Sequence, residues 1–188
     1  MPVNRNALIR YRTIDQCLQN RRRKWTLDDL SPSVEQGLKN RDFERGRLLF
    51  AETKCYSCHR FENEGGAQAP DLTQAAGRFS VRDLLESIVD PDKTVSDQYA
   101  SSVFTMKDGK IVVGRVVNLQ GDNMSVMTDM LSPSKLTSVN VKNVESITPS
   151  PISPMPGGLI DTLTLEEIQD LTAFILSRGD RKHAMFGK

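Results

Sequence analysis

Cys55-Tyr56-Ser57-Cys58-His59 is the stretch that most limits what this chain can become. On one turn of helix both thiols stand on the same face, and the imidazole that follows reaches a point just beyond them. This is the spacing by which a chain takes haem covalently, each sulfur adding to one vinyl group while the histidine can reach the iron. Parts of the pattern serve other chemistries. A structural zinc site also uses Cys-x-x-Cys, but it needs further ligands, and outside the motif the chain offers only Cys17 and His183. A dithiol oxidoreductase would place the pair at the end of a βα unit, and nothing before Cys55 reads as a strand. A chance match is the third alternative.

Composition narrows the setting. With 188 residues, 38% hydrophobic and 26% charged, the chain has the balance of a soluble protein with one good core or two small ones, and no stretch of membrane-span length. The net charge of +1 hides an asymmetry, because residues 1–30 hold seven Lys/Arg against three Asp/Glu. Cys17 has no partner outside the motif, so no disulfide framework is available. Attachment of c-type haem normally follows export, which predicts a periplasmic or otherwise exported protein. Yet Met1–Asn20 is interrupted by Arg5, Arg10, Arg12 and Asp15 and shows no apolar signal-peptide core.

Five segments follow along the chain. Residues 1–30 read as a basic N-terminal helical piece: a short helix around Ile14 and Leu18, the run Arg21-Arg22-Arg23-Lys24, then a helix capped by Thr26 with Asp29 three residues on. Residues 31–97 begin with a Ser-Pro-Ser linker over Ser31–Asn40. A helix over Asp42–Phe50 then aligns Phe43, Gly46 and Phe50 on one face before the motif. Beyond the motif, Gly65–Leu72 is a loop. Its Pro70 carbonyl is the candidate acceptor for the second N–H that a metal-bound His59 would carry. Ser80 and Asp83 cap a middle helix with Leu84, Leu85 and Ile88 inward, ended by Pro91.

Residues 98–148 change period. Ser102–Thr105, Ile111–Leu119, Met124–Thr128 and Leu136–Val141 are runs rich in Val, Thr and Ile, with turn residues at Asp108-Gly109 and Gly121-Asp122-Asn123. They predict a small antiparallel β insertion packed on the helical part. Residues 149–180 begin with a proline-rich loop that holds Met155 between Pro154 and Pro156, stiff enough to deliver a thioether to a fixed point. The other methionines lie in tails (Met1, Met185) or in or beside strands (Met106, Met124, Met127, Met130), where packing is the default. Thr164 and Glu167 then cap a final helix with Leu165, Ile168, Leu171, Phe174 and Ile175 inward, closed by Gly179. The tail, residues 181–188, is expected to fray together with Asp180.

Read in this order, the chain resembles class I cytochrome c, and within it the haem-binding domains at the C-termini of large planctomycete and verrucomicrobial proteins. The residues that carry the resemblance are Arg41–Gly46, Cys55–Phe61, Gly65–Ala67 with Pro70–Thr73, Gly77–Ser80, Ser96–Tyr99 and Met155–Leu159. It implies a mainly α fold with a small antiparallel β subdomain between the middle helix and the distal-ligand loop. It makes Cys55 and Cys58 the thioether anchors, His59 the proximal iron ligand and Met155 the distal one, with one covalent haem c per chain. Pro70 keeps its place, although Ala69 stands where the family usually has glycine. Separately, Met1–Arg12 resembles the start of WYL-type regulators, whose N-terminal domain is a winged helix. That likeness ends before any recognition helix, so DNA binding is not carried over, and a solvated basic face is the reading preferred for these residues.

The resemblance implies an electron carrier rather than an enzyme: single electrons pass through a His/Met-ligated haem, to or from a dehydrogenase-like partner or fused domain. Two other classes stay open. One is a haem-based catalyst or gas sensor, which needs an open iron position; His183 is instead the alternative distal ligand to Met155, although its place in a Gly-, Lys-rich tail reads as a solvated side chain. The other is a DNA-binding regulator with a haem-sensing domain.

Overall fold

The computed structural model describes residues 24–187. The predicted helix around Ile14 and Leu18, and Cys17 with it, lies outside them. Helix α1 spans Leu27–Gln36, and Thr26 caps it by accepting the Asp29 N–H at 3.2 Å. It runs straight through Ser31-Pro32-Ser33, so of the linker expected over Ser31–Asn40 only residues 37–40 are irregular, and the boundary placed at 30/31 falls inside a helix. An interior proline forfeits a backbone hydrogen bond and costs roughly 3 kcal/mol. Leu30 and Val34, one turn apart and fully buried, offset it by packing into the core.

Helix α2 (Phe43–Glu52) is capped by Asp42, whose carboxylate accepts the Arg45 N–H at 3.0 Å. It crosses helix α5 (Leu165–Leu176) at Gly46. A Cβ there would lie 2.4 Å from the Asp170 carbonyl oxygen and 2.8 Å from the Phe174 Cβ, so only glycine permits this approach. Phe50, Phe61 and Phe174 interlock behind the crossing with ring centroids 4.9 to 5.7 Å apart. Thr164 and Glu167 form the expected capping box on α5. The helix is buried beyond its apolar face, however, because α1 and α2 both lie against it, and Gln169, Asp170 and Thr172 are covered too.

Those polar groups are all partnered. The Asp170 carboxylate accepts the Asp42 N–H at 3.1 Å and the Arg45 guanidinium, with Arg41 at 3.7 Å. Gln169 donates to the Ser33 carbonyl at 3.0 Å and accepts from Arg41 at 2.7 Å. A buried carboxylate is tolerated only on such terms. The clamp joins α1, α2 and α5 in one polar knot. A short one-turn helix, α3 (Cys55–Cys58), carries the motif. Helix α4 (Val81–Val89), boxed at its start by Ser80 and Asp83, packs on α1 and stops before Pro91.

Strands β1 (Arg60–Phe61) and β2 (Glu64–Gly65) make a two-stranded hairpin directly after the motif. The larger sheet contains β3 (Ser102–Met106), β4 (Ile111–Gln120), β5 (Asn123–Met127), β6 (Leu136–Asn140) and β7 (Val144–Pro149). Its order is β6-β5-β4-β3-β7, antiparallel throughout. The sequence predicted the first four strands but not β7. That strand ends in a proline, which an edge position tolerates. Phe104, Met124, Val126 and Val139 form a core separate from the helical one. The expectation of a mainly α fold is therefore wrong: helix accounts for 31% and strand for 23% of the described residues, because the insertion is a full sheet with its own interior.

The tail does not fray as far as residue 187. Arg41 N–H donates to the Met185 carbonyl at 2.8 Å, Phe186 meets the Phe43 ring edge-on at 5.2 Å, and Arg181 sits over Phe43 while pairing with Glu44. Among the described residues no helix is long and apolar enough to cross a membrane.

Candidate functional site

The motif begins where α2 ends. Thr53 turns its hydroxyl back to the Leu49 carbonyl at 2.7 Å, and Lys54 takes a left-handed conformation (φ 67°), which redirects the chain into the single turn Cys55–Cys58. His59 leaves that turn in an extended conformation while its N–H still donates to the Cys55 carbonyl at 2.9 Å. Tyr56, between the cysteines, packs edge-on against Phe50 at 4.5 Å, and Phe61 is fully buried. The motif is thereby pinned to the helical core at both ends, with Cys55, Cys58 and His59 half-buried.

The following loop folds back over it. Gly66 N–H donates to the Tyr56 carbonyl at 2.8 Å and Ala69 N–H to the Cys58 carbonyl at 3.0 Å. Gly65 has φ 94°, and a Cβ on it would lie 2.3 Å from the His59 carbonyl oxygen, so both its conformation and its surroundings require glycine. These contacts bring the Pro70 carbonyl oxygen to 2.7 Å from His59 Nδ1. A carbonyl oxygen can only accept, so Nδ1 carries the proton and Nε2 keeps its lone pair. Burial holds the His59 pKa below the usual imidazole value, against the opposing pull of that hydrogen bond. The ring is thus a neutral donor with one orientation.

The thiols are protonated for a similar reason. Burial raises the pKa of Cys55, opposed by its contact with the Thr53 hydroxyl at 3.3 Å. Burial also raises that of Cys58, and the negative charge of Asp129, from the loop between β5 and β6, adds to it. The dithiol reading needed a βα unit, whereas Cys55 follows a helix and a left-handed turn. The zinc reading needed further ligands. His183 lies in the C-terminal turn, its Nδ1 facing the Met185 N–H at 3.3 Å, and no three His, Cys, Asp or Glu side chains converge among the described residues.

Met155 lies half-buried in the irregular segment between β7 and Ile160. Its N–H donates to the Ser153 hydroxyl at 3.1 Å, and the Ser153 N–H donates to Asp92 just beyond α4 at 2.7 Å. The hydrogen bonds that gather Cys55, Cys58, His59 and Pro70 thus do not include Met155, which is braced from α4. Sequence reasoning missed Asp92, Ser153 and Asp170, because each acquires its role from a partner far along the chain.

The donor set suits haem. Two free thiols stand on one turn, an imidazole presents a single free nitrogen, and glycines at 65 and 66 let the loop lie against the motif backbone. Comparison with known families agrees. Residues 43–111 match the family model for cytochrome c, and residues 6–46 match that for the WYL domain-containing protein, N-terminal winged helix domain. A search of curated proteins finds no match. The cytochrome c match runs from the start of α2 to the start of β4, and the two matches overlap on the first turn of α2. From residue 24 to 46 the winged-helix match consists of α1 and the start of α2. Trp25, Leu30 and Val34 there belong to the helical core, and the exposed face of α1 carries Asp28, Asp29 and Glu35.

Proposed function

We propose that this chain is a one-electron carrier holding a single covalent haem through Cys55 and Cys58, with His59 as proximal ligand and Met155 as distal ligand. The observation that carries the reading is the 2.7 Å contact from His59 Nδ1 to the Pro70 carbonyl, which leaves Nε2 as the one ring nitrogen able to bind iron. When bound, the haem supplies a metal that cycles between ferric and ferrous. Cys55 and Cys58 would hold the haem, each thiol supplying the sulfur of one thioether bond. The resulting anchors prevent loss of the group.

The remaining residues set its environment. Pro70 fixes the ring plane of His59 and strengthens it as a donor. A thioether from Met155 favours reduced iron and raises the potential. Phe50, Phe61 and Phe174 form the dry wall behind the motif and keep the protein still as the charge changes. No substrate is turned over; the electron passes to or from a separate or fused dehydrogenase-type domain. Covalent attachment requires maturation outside the cytoplasm, so the chain works in the periplasm or an equivalent exported location.

The test is expression of the full chain behind an export signal in a host that matures c-type cytochromes. Haem that stays with the denatured chain is expected, together with a long-wavelength methionine–iron band that Met155→Leu abolishes. Haem lost on denaturation would sink the reading. A regulatory reading draws on the winged-helix match, and a salt-dependent shift of duplex DNA by the full chain is its minimum requirement. The acidic exposed face of α1 weighs against contacts from residues 24–46.

A further inference from the structure

We infer that Asp92 and Ser153 are positioning residues for the distal ligand: an aspartate anchored at the end of α4 fixes the loop that presents Met155. The inference rests on the reading of Met155 as the distal ligand and extends it to residues to which no comparison gives a role.

The loop from Ser150 to Met155 has no regular backbone pairing of its own, so its shape depends on a few hydrogen bonds. Most of them involve serines. Ser150 N–H donates to the Ser101 carbonyl at 2.9 Å, which ties the loop entrance to the start of β3. The Ser150 hydroxyl accepts the Ile152 N–H at 3.2 Å and closes a tight turn. The Ser153 hydroxyl accepts the Met155 N–H at 3.1 Å and sets the backbone of the ligand residue itself.

Asp92 supplies the external anchor. Its Oδ1 accepts the Ser153 N–H at 2.7 Å, across 61 residues of chain. Asp92 follows Pro91, which halts α4, and the Lys93 N–H donates to the Asp90 carbonyl at 3.2 Å, so the carboxylate projects from a braced turn. The chain of contacts therefore runs from α4 through Asp92 and Ser153 to the Met155 backbone. Pro154 and Pro156 remove two φ rotations and two N–H donors on either side of Met155. With those donors absent, the Ser153 and Met155 N–H groups are the backbone donors that flank Pro154, and both are used. A ligand so held is pre-organised, and releasing it raises the chance that an outside ligand takes its place.

The experiment uses the full haem-loaded chain and measures the affinity of ferric iron for added imidazole, together with the methionine–iron band. Asp92→Ala is expected to increase imidazole affinity about fivefold, the order of effect for one exposed hydrogen bond, while Asp92→Asn, which keeps the acceptor oxygen, stays near wild type. Ser153→Ala should act in the same direction and Ser153→Thr should restore the starting value, giving a second route if Asp92→Ala folds poorly. Unchanged imidazole affinity in both alanine variants overturns the inference and leaves the Met155 reading intact, provided Met155→Leu removes the band. An equal rise in imidazole affinity for Asp92→Asn and Asp92→Ala overturns it as well, since the acceptor would not be what matters. If Met155→Leu leaves the band in place, the inference and the ligand assignment fall together.

Discussion

The helical part and the five-stranded sheet bury their apolar side chains on different terms. The helical core gathers Trp25, Leu30, Val34, Phe50, Phe61, Leu85, Phe174 and others around one crossing of α2 and α5, and it covers polar groups as well. The sheet closes on a cluster of four buried residues, with Met127 also buried, and leaves much of its apolar surface open. Of the twelve exposed large hydrophobics among the described residues, nine lie between Ile111 and Ile147. The helical part therefore resists substitution because nothing in it can move independently, whereas the sheet has a small interior and a permissive outside. The motif is pinned to the first kind of structure. Its geometry depends on the crossing far more than on the insertion.

The largest effect should come from the crossing itself. Phe174→Ala removes a fully buried ring that touches Phe43, Phe50 and Phe61, and is expected to cost about 3–5 kcal/mol. Denaturant unfolding would read this as a fall in midpoint at unchanged slope. A loss below about 1 kcal/mol would mean that the helical core relaxes as freely as a surface, and the contrast with the sheet would collapse.

Next comes the polar clamp. Asp170→Ala leaves the Asp42 N–H and the Arg45 guanidinium without their buried acceptor, and Arg45 is partly exposed and can turn to water. A loss of about 2–3 kcal/mol is expected, less than for a wholly buried pair. Asp170→Asn keeps an acceptor for the Asp42 N–H and should lose about half as much. If both variants match wild type in thermal unfolding, the clamp contributes specificity but no stability.

What the sequence revealed follows the same division between local and distant causes. Thr26, Ser80 with Asp83 and Thr164 with Glu167 were legible as caps because a cap is decided within four residues. The hairpin turns and four strands were legible from period and turn chemistry. Pro32 misled because its local cost is outweighed by Leu30 and Val34 meeting α4 and α5, which no local pattern contains. β7 was missed because an edge strand carrying Pro149 has little propensity of its own and exists by pairing with β3. Nothing local to Asp170 or Asp92 marks the role either plays. Their partners stand 125 to 128 and 61 positions away.

A smaller effect concerns acid stability of α4, the helix whose C-terminal end carries the Asp92 anchor. Asp83 accepts hydrogen bonds from the Ser80 hydroxyl and N–H, and these hold its carboxyl below the usual carboxylate range. A pKa depressed in the folded state means that the unfolded chain binds the proton first as pH falls. The contribution is therefore whole above the unfolded value near ~3.9 and disappears as pH drops through the folded value. Asp83→Asn should lower stability slightly at neutral pH, where the contribution is whole, and converge on wild type at acid pH, so that part of the profile flattens. An unchanged profile would show that the box is dispensable.

The smallest effect should lie on the outer face of the sheet, and it is the sharpest check on the contrast. Register sets Val103 opposite Val113 and Thr105 opposite Ile111, so these four share the face turned away from Phe104 and Val112. Ile111 and Val113 are well exposed. Replacing both with threonine keeps the β-branch that suits an extended backbone and removes only solvated apolar atoms. The unfolding free energy should stay within about 0.5 kcal/mol of wild type. Circular dichroism should not change, because Phe104, Met124, Val126 and Val139 keep their contacts on the other face. A loss above about 2 kcal/mol would place this face in a buried interface, since exposed positions do not respond at that level. The sheet would then count as a second packed surface, and its openness would no longer separate it from the helical core.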